Sequence, residues 1–178
     1  TAGNLAIALA QSGNSVLLVD CDMRKPSIHK KFKISNAAGT AELLLRKKLF
    51  EEVANKYNEN LTIITAGKIP PNPSEMLASR AMTAFIEEMK KEFKYIILDT
   101  PPLQAVTDAQ VLSTKADGVL LVVRAASTKR EMVLNSIDLI KKVKGKIIGT
   151  VLNGVENKKN NYLLLVKYLL SYTSLYEK

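Results

Sequence analysis

The stretch VLLVDCDMRKPS, residues 16–27, decides how the chain is read. Four apolar residues run directly into Asp20, Asp22 follows, and then come Arg24, Lys25 and Pro26. A short, unbroken apolar run fits a strand covered on both faces rather than one that alternates between core and water. In extended backbone, residues two apart point to the same side. Asp20 and Asp22 therefore face one site, and Cys21 turns away. A second run, YIILDTPP at residues 95–102, ends the same way in Asp99. In an open parallel sheet, ligands bind beyond the carboxyl ends of the strands. Carboxylates gathered there repel one another in a dry site, and a cation removes that cost. Hard oxygen donors favour magnesium over softer metals. Arg24, beside two acids, points to an ion pair or a phosphate contact.

The rest of the chain repeats this plan. Strand-like runs fall at Val16–Asp20, Leu61–Thr65, Tyr95–Asp99, Val119–Val123 and Lys146–Leu152. Helical patterns lie between most of them. Leu5, Ala6, Leu9 and Ala10 recur at helical spacing, and Gly13 supplies a stop. Asn72, Pro73 and Glu75 mark one helix start, and Thr128 with Glu131 has capping-box spacing at another. Met82, Phe85, Ile86, Met89 and Phe93 share one helical face, as do Val133, Ile137 and Ile140. Strands alternating with helices predict an α/β fold, a mainly parallel sheet with helices on both faces. With 178 residues and no linker-like segment, the chain reads as one domain.

Composition narrows the function. Hydrophobic residues are 47%, which excludes a disordered chain. A single cysteine and a single histidine, Cys21 and His29, argue against an internal disulfide and a zinc site. The net charge of +9 suits a polyanion, an anionic surface or nucleotide phosphates. The cations are dispersed without interleaved aromatics, so nucleic acid is not expected as a partner. No signal peptide and no bilayer-length apolar run is visible.

Apolar residues leading into D-x-x-P resemble a Walker B element, whose aspartate serves magnesium beside nucleotide phosphates. No G-x-x-x-x-G-K-[ST] loop occurs in the chain. Such a loop joins a first strand to a helix, and this chain opens within a helical pattern. The expectation is that the loop and its strand lie immediately before Thr1.

Taken together, TAGNLAIALAQSGNSVLLVDCDMRKPSIHKKF (1–32), AGTAELL (38–44), ITAGKIPPNPSEML (64–77), DTPPLQAVTDAQVLSTKADGVLLVVR (99–124) and GTVLNGV (149–155) resemble, in order, the bacterial tyrosine kinases of capsule and exopolysaccharide systems. The likeness runs to about Val155. Its most specific pieces are the D-x-D-x-R-x-P run, a Walker A′ motif, and the P-P-N-P-S-E loop. The related MinD/ParA-type ATPases usually lack the arginine and proline at Arg24 and Pro26. The resemblance implies a deviant Walker, P-loop NTPase fold with its first strand upstream, and residues 1–178 as a single, N-terminally incomplete kinase domain. It implies ATP and Mg2+ as cofactors. Asp20 would accept the tyrosine proton, Asp22 and Asp99 would serve the metal, Arg24 would contact the cofactor and Asn153 would approach the base. Asp20, Asp22 and Asp99 are the catalytic set.

The same resemblance implies phosphoryl transfer to C-terminal tyrosines. In residues 156–178 these are Tyr162, Tyr168, Tyr172 and Tyr176, the last three spaced four apart. It further implies a membrane-anchored activator, the polysaccharide co-polymerase, and a ring of identical subunits that phosphorylate one another. A cognate tyrosine phosphatase and a cytoplasmic location against the inner face of the membrane complete the picture. Two other readings fit the residues. One is a MinD-like ATPase switch whose leucine-rich tail lies on a membrane, with Lys158, Lys159 and Lys167 toward anionic lipid. The other is a nucleotide-free, kinase-like scaffold.

Overall fold

The computed structural model describes residues 1–155. The four candidate acceptor tyrosines and the tail lysines lie outside the described residues. In chain order the elements are α1 (Ala2–Gln11), β1 (Val16–Asp20), α2 (Ile28–Phe32), α3 (Thr40–Leu44), α4 (Phe50–Val53), β2 (Ala54–Lys56), β3 (Leu61–Ile64), α5 (Pro73–Ala78), α6 (Arg80–Met89), β4 (Tyr95–Asp99), α7 (Asp108–Ser113), β5 (Val119–Arg124), α8 (Arg130–Lys142) and β6 (Ile147–Asn153).

β1 is the pivot. It pairs in parallel with β3 on one side and β4 on the other, within the order β2-β3-β1-β4. All five of its residues are buried. Leu17 and Val19 enter one apolar cluster with Ala41, Leu77, Met82 and Phe85 from α3, α5 and α6. Val16 and Leu18 enter the opposite cluster with Ala6 and Ala10 of α1 and Ile28 of α2. That two-sided cover is why the run is apolar at every position rather than at alternate ones. Each fully buried Leu or Val in it contributes roughly 1.5–3 kcal/mol relative to exposure. Cys21 is buried in the first cluster, turned away from the acids as the alternation predicts.

β5 and β6 form a separate parallel ladder, Val119↔Ile147 through Arg124↔Asn153, and among the described residues it is not paired with β4. β2 has no counterpart in the sequence reading. It is three residues long and polar, too short to carry a period, and it pairs antiparallel at the edge of β3. Its hairpin is closed by Asn58, whose side-chain oxygen accepts from the amides of Asn60 and Leu61 at 2.9 and 2.8 Å.

The punctuation residues act largely as expected. Gly13 sits at φ 79° and ends α1, with its amide on the Ala10 carbonyl and that of Asn14 on the Leu9 carbonyl. Pro73 opens α5. Helix α8 starts one residue later than its capping signal, with Lys129 before it. The Thr128 hydroxyl instead accepts from the amide of Arg124 at 3.1 Å, closing the turn after β5.

The AGTAELL segment locks the carboxyl ends of β1 and β3 together. The buried Thr40 hydroxyl lies 3.0 Å from the Asp20 carbonyl and 3.1 Å from that of Thr65. Glu42 reaches back to the Gly39 amide at 2.9 Å. Gly39 is in extended backbone at φ −175°, so conformation does not demand glycine there. Space does: a Cβ would collide with the Thr65 carbonyl and stand 2.6 Å from the Gly67 amide nitrogen. Both obstacles are backbone. Gly39→Ala is therefore expected to destabilise the protein by more than about 2 kcal/mol, as overpacking against rigid neighbours does. Denaturant unfolding measures it, and a midpoint equal to wild type would show that the two strand ends are not held this tightly.

Candidate active site

β1 and β4 end side by side, with Asp20 and Asp99 as register partners. The Cys21 amide donates to the Asp99 carbonyl at 2.8 Å, so the chain is still tied to β4 as it leaves the strand. Immediately after, the backbone wraps around its own acids. Asp20 Oδ1 accepts from the Asp22 amide at 3.1 Å, and Oδ2 accepts from the amides of Ser27 and Ile28 at 3.2 and 3.1 Å. Asp22 Oδ1 accepts from the amides of Arg24 and Lys25 at 3.2 and 3.0 Å. Pro26 has no amide hydrogen to present, and its fixed φ favours the turn between these two sets of donors.

These surroundings set the charge states. Asp20 is wholly buried. Burial pushes its carboxyl up to about 6, the neighbouring Asp99 charge adds to this, and the three amide hydrogen bonds offset only part of it. Asp99 is also raised, chiefly by burial and further by Asp22, while the Lys31 charge pulls it back. Burial likewise drives the Cys21 thiol far up, leaving it inert. Lys31 carries no sequence signal that sets it apart from the other dispersed cations. Its ammonium donates to the Ser27 hydroxyl at 3.0 Å, beside the segment that holds Asp20.

The structure thus brings Asp20, Asp22 and Asp99 to one end of the sheet. It does not arrange them as a ready-made cage: among the described residues no group of three or more His, Cys, Asp or Glu is set to hold a metal ion. The reason is local, because both oxygens of Asp20 and Oδ1 of Asp22 are turned toward backbone amides. The donor set still fits magnesium, which usually takes one or two carboxylates and fills its remaining positions with water and phosphate oxygens. Asp99, whose carboxyl is raised by burial and by the Asp22 charge, is an acid that such an ion would relieve.

Arg24 does not face the two acids that precede it. Its guanidinium makes a two-pronged contact with Asp108 at the start of α7, Nε to Oδ2 at 3.0 Å and Nη2 to Oδ1 at 3.2 Å. Nη2 also donates to the Ser74 hydroxyl at 3.1 Å. The Arg24 ion pair is formed with a partner 84 residues away. Asp108 and Ser74 were missed from sequence because each reads locally as an ordinary first-turn residue of a helix. Asn153 lies at the end of β6, where its backbone carbonyl accepts from Ala125 and its side-chain oxygen accepts from the Gly154 amide at 2.9 Å. It lines a shallow depression with Thr1, Asn4, Leu5, Leu120 and Val151.

The Asp20 shift has a pH signature of definite sign. A carboxyl at about 6 when folded and 3.8 when unfolded keeps a proton that the unfolded chain has released. Its contribution to stability therefore falls as pH rises from about 4 to 6, by on the order of 3 kcal/mol in total, and is flat above that window. The difference in unfolding free energy between wild type and Asp20→Ala, measured in chelator across this range, should shrink or turn negative with rising pH. A difference that grows would mean that the carboxylate is stabilised as the anion.

Comparisons with known proteins agree with this geometry. A family model described as an AAA domain matches residues 1–151. The chain is 39% identical to tyrosine-protein kinase YwqD of Bacillus subtilis over 162 residues, 90% of this chain and 68% of that one. Its fold superimposes on the kinase domain of Escherichia coli tyrosine kinase ETK with a TM-score of 0.85 at 33% identity, over 90% of this chain and 63% of that one. The chimerical protein CapA2B2 gives a TM-score of 0.81 at 38% identity, over 85% of this chain and 67% of that one. With its acids at the carboxyl ends of β1 and β4 in a P-loop NTPase-like α/β fold, the chain belongs to the bacterial tyrosine-protein kinases.

Proposed function

We propose that this domain transfers the γ-phosphoryl group of ATP to tyrosine hydroxyls, with Tyr162, Tyr168, Tyr172 and Tyr176 as the acceptors. The observation that carries the reading is the Asp20↔Asp99 pairing at the carboxyl ends of parallel strands, with Asp22 just beyond. Phosphoryl transfer asks little covalent chemistry of the protein; it asks for alignment and charge neutralisation.

Each residue then has a task. Asp20 takes the tyrosine proton at Oδ1, which carries one backbone hydrogen bond where Oδ2 carries two. A carboxyl near 6 is closer to the working pH of a general base than an ordinary aspartate is. Asp22 and Asp99 would hold Mg2+, which supplies charge neutralisation at the phosphates when bound. Asn153, which lines a depression with Thr1, Asn4 and Leu5, would approach the nucleotide base. Kinship with the tyrosine-protein kinases of capsule systems supports a role in controlling capsule or exopolysaccharide production. In that setting a membrane-anchored activator would hold the domain at the inner face of the membrane. A ring of copies would phosphorylate one another's tails, and a tyrosine phosphatase would reset them. No helix among the described residues is long and apolar enough to cross a membrane, which fits recruitment through a partner.

The full protein incubated with ATP and magnesium should gain phosphotyrosine in residues 162–176, and Asp20→Ala should lower the rate by at least about 100-fold, the scale of a lost general base. Tandem mass spectrometry reads the sites. Phosphate release without phosphotyrosine, together with ATP-driven binding to anionic vesicles, would point instead to a MinD-like switch.

A further inference from the structure

Outside the three acids, the described residues contain a charged cluster built on a buried carboxylate, formed by Arg24, Asp108 and Ser74. The Asp108 side chain is fully buried, whereas that of Arg24 is 40% exposed. Burial alone would raise the Asp108 carboxyl, but hydrogen bonds from Arg24 and Ser74 more than offset it and hold the group below the usual carboxylate range. The cluster joins three segments distant in sequence: the turn after β1, the first turn of α5, and the first turn of α7. Thr107 approaches the same Ser74 hydroxyl at 3.5 Å.

The geometry points to Arg24 and Asp108 as positioning residues that pin the 22–28 segment around the catalytic acids. Three features support this. The amide of Arg24 is itself one of the two donors that fix Asp22, so backbone and side chain of one residue link the acid to the buried anchor. The same segment then supplies the Ser27 and Ile28 amides that fix Asp20. Finally, Arg24 is not free to leave. Moving it onto a phosphate would leave a buried carboxylate without its cation, held only by the hydroxyl of Ser74 and its own backbone amide, which costs more than a single charge-assisted hydrogen bond returns. The fork geometry is specific to arginine, and lysine meets Asp108 as a point charge only. The link to rate rests on the kinase reading above, whereas the pinning itself does not.

The test uses the full protein with Arg24→Ala, Arg24→Lys, Asp108→Asn and the double variant Arg24→Ala/Asp108→Asn. Hydrogen exchange without nucleotide is read at the amides of Arg24, Lys25, Ser27 and Ile28. Each alanine or asparagine variant should speed exchange there by about tenfold or more while the β1 amides stay protected. Arg24→Lys should fall between these variants and wild type. In kinase assays kcat should fall by about tenfold, with KM for ATP within about twofold and the double variant no worse than the worse single one. Unchanged exchange in the segment overturns the proposal, as does acceleration spread equally over β1. Loss of ATP affinity in Arg24→Ala but not in Asp108→Asn also overturns it, and makes Arg24 a phosphate ligand. A wild-type protein without kinase activity would overturn the proposed function, yet the exchange pattern would still decide the pinning.

Discussion

A strand buried on both faces must end somewhere, and here it ends in a carboxylate that water does not reach. The rest of the site follows from that constraint. Asp20 closes β1 inside the protein, where an ionised carboxyl is costly unless donors or cations surround it. The chain answers with backbone: residues 22–28 curl so that three amides face Asp20 and two face Asp22. The amides lessen the cost without removing it, since the carboxyl still stands at about 6. A site in this condition gains from a divalent cation and from a substrate that brings a proton to be taken.

The surrounding scaffold keeps that strand end from relaxing. Thr40 clamps the carbonyls of Asp20 and Thr65, and the absence of a Cβ at Gly39 lets α3 approach the end of β3. Farther out, Arg24 ties the turn to the buried Asp108, which opens α7 and meets Ser74 of α5. The sequence pieces that resemble the kinase family are therefore not separate signatures. AGTAELL, PPNPSE and TDA each contribute a contact that converges on the turn following β1.

Much of the fold was legible because its signals are local. β1, β3 and β4 announce themselves as largely apolar runs, and Gly13, Pro73 and the α6 stripe obey rules that need only neighbouring residues. Asp20, Asp22 and Asp99 were legible for the same reason, since an acid at the end of such a run is conspicuous. The contacts formed at long range were not. Nothing near Asp108 or Ser74 in sequence says that both meet a guanidinium from the first strand's turn. The orientation of the carboxylates was hidden as well: alternation places Asp20 and Asp22 on one side, but not that their oxygens turn into backbone amides rather than toward each other. β2 escaped because a three-residue polar edge has no period to detect.

Carbon-13 NMR titration of the Asp20 carboxyl, with and without magnesium and a non-hydrolysable ATP analogue, probes the strand-end carboxylate most directly. The free protein should show a midpoint of about 6, displaced when metal and nucleotide bind. A midpoint already in the ordinary range in the free protein, or one indifferent to the metal and nucleotide, would contradict a dry strand-end carboxylate built for phosphoryl transfer.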